Sequence, residues 1–247
     1  MLKLLNKVLH RAGLKVSRLQ ETIPPDISEK TLKVYNKVKP FTMTSVERIS
    51  SLCDAVNYII SNKVEGDFVE CGVWKGGSIM AMISVLQSLG NPDRKLWLYD
   101  TFEGMSSPTK ADKNLQDEDA EQLLKENKKE SSTVWAYSTF EEVKSNIDIL
   151  GYPPANINYV IGKVEDTLVH TAPSQISLLR LDTDWYESTK IEMEILFPKL
   201  VPGGVLIIDD YGYWQGARKA IDEYIHANKI KILLNRIDYT GRIAIKI

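Results

Sequence analysis

From residue 66 onward, short and nearly unbroken apolar runs that end in an acid or a glycine alternate with longer stretches of helical period. The runs are "DFVECGV" (67–73), "KLWLYD" (95–100), "NINYVIG" (156–162), "ISLLRLD" (176–182) and "GGVLIIDD" (203–210). Helical stretches follow the first run at 76–89 ("GGSIMAMISVLQSL"), the fourth at 185–200 ("WYESTKIEMEILFPKL") and the fifth near 215–228. Strands that are apolar along their whole length are buried on both faces, so the alternation predicts a mostly parallel sheet with helices on either side. "IKILLNRI" (230–237) and "GRIAIKI" (241–247), joined through "DYTG", predict an antiparallel hairpin at one edge. The expected fold class is therefore α/β, a doubly wound Rossmann-like sheet of seven strands.

Composition narrows what such a chain can do. A length of 247 residues suits one large domain, and 43% hydrophobic with 26% charged residues is the balance of an ordinary globular protein. A net charge of -2 provides no field to gather nucleic acid, so none is expected as a partner. Cys53 and Cys71 stand in neither metal-ligand nor redox spacing, and Cys71 is expected to be a small buried group. No apolar run approaches the roughly 18 residues of a membrane span, and no signal-peptide pattern is visible, so the expected location is the cytoplasm. Residues 1–20 carry Lys3, Lys7, Arg11, Lys15 and Arg18 without an acid, and place Leu2, Leu5, Leu9, Ala12, Val16 and Leu19 near one helical face. This basic amphipathic helix is expected to dock on its own domain or on a second copy in a homo-oligomer; contact with an anionic membrane surface is the lesser alternative. Two units are expected: 1–39, helix plus linker, and 40–247. The polar stretch 103–135 within the second has the length of a lid or binding loop, and its acidic "DEDAE" is expected to be a solvated helical face.

Ligands of a parallel sheet bind beyond the carboxyl ends of the strands. Those ends carry Glu70, Gly72, Gly76, Gly77 and Ser78, then Asp100, Gly162, Asp182 with Asp184, and Asp209 with Asp210. So many carboxylates on one rim repel one another unless cations or hydrogen-bond donors offset them. "ECGVWKGGS" lacks the G-x-G-x-x-G spacing of a dinucleotide site, and Glu70 opposes a pyrophosphate while suiting the amino group of an amino acid. S-adenosylmethionine has such a group; the glycines admit its close approach, and Ser78 at the helix start can hold its carboxylate. Asp100 is placed to accept from the ribose hydroxyls of either that molecule or NAD. Asp182, Asp209 and Asp210 form a hard oxygen set suited to Mg²⁺, which lowers the pKa of a bound hydroxyl facing a methyl donor. Asp184 is expected either behind that set or at the N-cap of a helix starting at Trp185. His10, His170 and His226 are scattered and provide no nucleophile–base pair.

Four segments and the spacing between them carry a resemblance over roughly residues 40–247: "FTMTSVERISSL", "GDFVECGVWKGGS", "LWLYDTFEGM" and "LLRLDTDWYESTKIEMEILFPKLVPGGVLIIDDY". The chain resembles the metal-dependent macrolide and aminocoumarin sugar O-methyltransferases. The resemblance implies a class I methyltransferase fold, S-adenosylmethionine as donor and Mg²⁺ as cofactor. It places Glu70, Gly72 and Ser78 in the donor loop, Asp100 at the ribose, and Thr42, Met43 and Arg48 in a cover over the donor. It implies Asp182, Asp209 and Asp210 as metal ligands, with Asp182 as general base or as a group that only positions the hydroxyl. The implied acceptor is a hydroxyl of a small-molecule glycoside, a glycan or a nucleotide sugar. Residues 103–135 show no match to the family pattern. A nicotinamide-dependent oxidoreductase and a non-catalytic adenosyl-binding scaffold are the alternatives.

Overall fold

The expected alternation is realised in a computed structural model, which describes Leu9, residues 23–91 and residues 93–247. Apart from Leu9, the basic amphipathic helix expected at 1–20 lies outside the described residues. Seven strands form one sheet: β1 (Asp67–Cys71), β2 (Leu96–Asp100), β3 (Ile157–Ile161), β4 (Ile176–Leu181), β5 (Leu200–Ile208), β6 (Asn235–Arg236) and β7 (Arg242–Ile245). Their order is β3-β2-β1-β4-β5-β7-β6, with the first five parallel and β7 antiparallel to both β5 and β6. The chain reverses its direction of winding between β1 and β4, which opens a crevice at the carboxyl ends of those two strands.

Eight helices occur among the described residues: α1 (Glu29–Val38), α2 (Val46–Ser61), α3 (Gly77–Ser88), α4 (Ala120–Glu126), α5 (Phe140–Asp148), α6 (Val164–Thr167), α7 (Tyr186–Ile195) and α8 (Gln215–Ala227). α2 shows why they form where they do. Ser45 caps its first turn by accepting from Arg48 N at 3.2 Å, and Ile49, Leu52, Cys53, Val56 and Ile59 then bury one face at helical spacing. α3 is apolar almost all round and lies beneath α1 and α2. Side chains alternate between the two faces of the sheet. Phe68, Leu98, Leu178 and Ile207 meet α1, α2 and α3, whereas Val69, Cys71, Leu179 and Ile208 meet α7 and α8.

Three expectations change. Tyr35 and Val38 are buried in the first core, so residues 29–38 are built into the domain and do not serve as a linker. The helix expected over 185–200 ends at Ile195, because Pro198 has no amide hydrogen to continue it and the chain tightens into a 3-10 turn. The strand expected at 230–237 shrinks to two residues; Ile230, Ile232 and Leu234 pack on the second core as extended chain without strand pairing.

The polar stretch 103–135 is docked by a buried anchor. Asp112, with no exposed surface, accepts from Thr109 N at 2.6 Å, Thr109 Oγ1 at 2.8 Å and Tyr186 N at 2.7 Å. Gly216 makes room for it: a Cβ there would lie 1.8 Å from Asp112 Oδ1. Ala120 and Leu124 of α4 then pack on Trp185, Trp214 and Ala217. Within "DEDAE", Asp119 caps α4 by accepting from Glu121 N and Gln122 N, while Glu121 stays in solvent. Asp112→Ala strands the Tyr186 amide and costs this segment about 1–3 kcal/mol. Hydrogen exchange should accelerate across 105–135 with protection of the sheet unchanged; exchange unaltered in that segment would contradict the anchoring role.

Candidate active site

A cavity of about 420 Å³ opens at the carboxyl ends of β1, β2, β4 and β5. Backbone ladders continue past the strands and bring their acidic ends to one level: Gly72 N donates to Tyr99 O, Asp182 N to Cys71 O and Asp209 N to Leu181 O, each at 2.9 Å. Gly72 sits at φ +83°, and a Cβ on it would lie 2.1 Å from Asp182 O; only glycine permits the β1 end to lie against the β4 end. Gly77 opens the first turn of α3, where a Cβ would lie 2.4 Å from Phe41 O. That approach lays Thr42, Met43 and Thr44 across the start of α3, and all three line the cavity together with Ser78 and Glu70.

At the centre is Arg180, which sequence analysis passed over. Its register partner on β1 is Glu70, and the two share the face that carries Phe68 and Leu178. Arg180 Nη1 donates to Glu70 Oε1 at 2.5 Å and to Asp182 Oδ2 at 2.7 Å, while Nη2 donates to Asp209 Oδ1 at 2.6 Å. A second guanidinium, Arg48 from α2, pairs with Asp209 Oδ2 through Nη1 and lies 3.0 Å from Asp238 Oδ2 through Nε. The visible signal for Arg180 was a lone cation inside an otherwise apolar strand, "ISLLRLD", which needs carboxylate partners once buried.

The acids expected to hold a cation are sorted differently. Both oxygens of Asp209 are occupied by Arg180 and Arg48, and its side chain is 4% exposed. The acids that converge are Asp182, Asp184 and Asp210, whose oxygens lie within 4.8 Å of one another. Asp184 thus lies in this group and Asp209 does not. Asp184 is not an N-cap, since Trp185 occupies that position and α7 begins at Tyr186. Asp184 adopts φ +68°, a left-handed conformation that aspartate tolerates better than most residues. Behind the turn, Thr183 Oγ1 donates to the fully buried Glu192 at 2.9 Å, which fixes the backbone between the two acids.

Charge in this group is poorly offset. Burial, together with the charges of Asp209 and Asp210, pushes the Asp182 carboxyl well above the usual range despite Arg180. Burial and the neighbouring acids do the same to Asp210, and burial lifts Asp184 to about 7. Asp210 Oδ2 is buried with no hydrogen-bond partner in the protein. Carboxylates at this spacing either share protons or surround a cation, and an all-oxygen set of three fits a hard divalent ion. Glu70 has a similar deficit: burial raises it to about 7 against the pull of Arg180, and Oε2 is unpartnered. Asp100, expected at a ribose, is engaged by backbone. Its Oδ2 accepts from Val73 N at 2.6 Å and Trp74 N at 3.1 Å, and Oδ1 from Phe102 N at 2.8 Å. It holds the glycine-rich turn in shape at the cavity wall.

Four aromatic residues, Trp74, Tyr213, Trp214 and Tyr239, also line the cavity, together with polar groups that include Lys163, Glu165 and Ser188. His170 is exposed and, like His226 on α8, takes no part in the cavity. His10 lies outside the described residues.

Comparison with known proteins shows the family of the chain. A family model described as macrocin-O-methyltransferase (TylF) matches residues 14–244. The 8-demethyl-8-(2,3-dimethoxy-alpha-L-rhamnosyl)-tetracenomycin-C 4'-O-methyltransferase of Streptomyces olivaceus is 36% identical over 200 residues, 81% of this chain and 73% of that protein. The demethyldecarbamoylnovobiocin O-methyltransferase of Streptomyces niveus is 32% identical over the same shares. Among solved structures, the O-methyltransferase NovP superposes with a TM-score of 0.72 at 27% identity, covering 99% of this chain and 97% of that one.

The raised carboxyls make stability depend on pH. Glu70 and Asp184, at about 7 in the folded protein against ordinary values of 4.5 and 3.8, keep protons that the unfolded chain has already released. Stability from this source is therefore greatest at the acid end of that window and falls as pH rises through it. In chelator, the melting temperature should drop by several degrees between pH 6 and pH 8, and Mg²⁺ should restore more of it at pH 8 than at pH 6. An equal response to Mg²⁺ at both values would contradict this charge balance.

Proposed function

The chain belongs to the macrocin O-methyltransferase family and is an O-methyltransferase, and from that premise we propose that it moves the methyl group of S-adenosylmethionine to a sugar hydroxyl with Mg²⁺ as cofactor. The observation that carries this reading is the convergence of Asp182, Asp184 and Asp210 at a cavity beside which Arg180 and Arg48 are already divided among Glu70, Asp182, Asp209 and Asp238. Family membership sets aside the oxidoreductase and scaffold alternatives.

Each part of the donor has a matching group on the chain. Glu70, with Oε2 unpartnered, accepts from the ammonium of the amino-acid moiety, and that positive charge keeps Glu70 ionised. Ser78 and the first amides of α3, which no side chain caps, face the carboxylate. Thr42 and Met43, lying by the start of α3, cover the donor. Asp100 works through the backbone, keeping residues 73 and 74 in the turn that borders the nucleoside.

Asp182, Asp184 and Asp210 hold the cation. When bound, Mg²⁺ supplies the positive charge that eases loss of the acceptor hydroxyl proton. Asp182 has a quarter of its side chain open while Arg180 fixes its other side, and it takes up that proton as methyl transfer proceeds. In-line transfer of the methyl group from the held sulfonium to the hydroxyl oxygen, with S-adenosylhomocysteine as the leaving thioether, then depends mostly on positioning, the task of the rigid β1–β4–β5 rim. Tyr213, Trp214 and Tyr239 present aromatic faces suited to the C–H face of a sugar ring, and the tetracenomycin relative is named for methylating a rhamnosyl group.

The experiment is methyl transfer to a panel of glycosides, run beside calorimetric titration with S-adenosylhomocysteine. Asp182→Asn, Asp184→Asn and Asp210→Asn should each lower Mg²⁺-dependent turnover by upward of about 100-fold and leave product binding within about 3-fold. Asp209→Asn should instead lower the melting temperature, since it strips a buried partner from two arginines at a cost of about 3–5 kcal/mol. Full turnover in chelator, or in Asp184→Asn, would overturn the cation role.

A further inference from the structure

Outside the catalytic rim, three arginines crowd one place without an acid of their own. Arg236 and Arg242 stand directly opposite each other in the β6–β7 ladder, and Arg242 is 8% exposed. Like charges in that position oppose strand pairing. Arg218 of α8 joins them at the Tyr211 ring: its guanidinium carbon and that of Arg242 lie 5.6 and 4.9 Å from the ring centroid. Among the described residues, none of the three has a carboxylate within ion-pair distance. The two acids nearby are committed elsewhere. Asp238 is held by Arg48, Ser45 and the amides of Thr240 and Gly241, and Asp222 accepts from the Tyr211 hydroxyl at 2.7 Å. Burial, and then the charges of Arg236 and Arg218, push Arg242 below the ordinary arginine value.

What the three guanidiniums do hold is neutral backbone. Arg218 Nε donates to Tyr211 O at 2.9 Å, Arg242 Nη1 to Gly241 O at 2.8 Å and Arg236 Nη1 to Tyr239 O at 3.4 Å. These carbonyls belong to two loops that meet where Gly212 N donates to Thr240 O at 2.9 Å, and Tyr239 and Thr240 continue into the cavity wall. Carbonyls leave three positive charges uncancelled, and each guanidinium has five N–H donors, most of them unused.

We propose that Arg218, Arg236 and Arg242 form a binding site for a phosphoryl group at the edge of the cavity, next to the 238–241 turn. A phosphoryl group brings up to two negative charges and three acceptor oxygens, which matches three planar donor forks better than a single carboxylate does. The group can arrive on an organic molecule, such as a nucleoside diphosphate, or as free polyphosphate. This site stands apart from the donor and cation sites and goes beyond the methyl-transfer reading.

The test is calorimetric titration of the full chain with pyrophosphate and, separately, uridine diphosphate, in wild type, Arg236→Gln, Arg218→Gln/Arg236→Gln and Lys219→Gln. Arg236 and Arg218 are exposed, so these variants spare the buried Arg242. S-adenosylhomocysteine titrated in the same samples verifies folding and tests the donor reading separately. Wild type should bind at least one probe with a dissociation constant below about 1 mM, Arg236→Gln should weaken it about 10-fold, and the double variant should abolish it. Lys219→Gln, which removes a neighbouring α8 charge, should bind as wild type does. Tighter binding of uridine diphosphate assigns the site to an organic phosphate, and equal binding to free polyphosphate. Failure of wild type to bind either probe, undiminished binding in the double variant, or equal loss in Lys219→Gln would overturn the site.

Discussion

Arg180 is the residue on which the rest of the site depends. A guanidinium near the carboxyl end of β4, 3% exposed, would be untenable alone, and it is made tolerable by Glu70 from β1, Asp182 just past its own strand and Asp209 just past β5. The planar fork reaches two directions at once, which the single ammonium of lysine cannot do. Three adjacent strands are thereby tied together at one level. The same bonds decide which acids are consumed by structure and which stay open toward the cavity.

The division of labour follows from strand geometry. Successive side chains in a strand point to opposite faces. Asp209 continues the parity of Ile207 and turns toward Arg180 and Arg48, whereas Asp210 turns the other way and meets Asp182 and Asp184. One acid of the pair completes a buried ion-pair network that reaches α2 through Arg48 and the β6–β7 turn through Asp238. The other completes a group whose charge calls for a cation. The glycines at 72 and 77 let backbone segments close around this rim, and the Asp112 anchor fixes the 103–135 segment against it.

The doubly wound sheet was legible in the sequence because each parallel strand is a short apolar run with a polar end, and because the terminal hairpin carries its own turn. The rim was legible as a set of residues, since strand ends identify themselves, but their partners were not. The i, i+2 spacing of Asp182 and Asp184 was a usable sign that they lie together, whereas nothing in the spacing showed that Asp209 would turn to the two arginines and Asp210 to the other acids. Asp100 was placed correctly in space; its three backbone donors come from the turn's three-dimensional path, which spacing does not reveal. Residues 103–135 were expected to be a loop over the site from length alone. Their docking rests on one buried carboxylate meeting the amide of Tyr186, a contact 74 residues distant in sequence.

The most direct measurement is anomalous diffraction from crystals of the protein soaked in Mn²⁺, a scatterer that takes the same oxygen ligands as Mg²⁺. One strong peak is expected, bounded by Asp182, Asp184 and Asp210, with Asp209 still paired to Arg180 and Arg48. A peak on Asp209 with Arg180 displaced, or density at the rim showing water alone at saturating Mn²⁺, would contradict it.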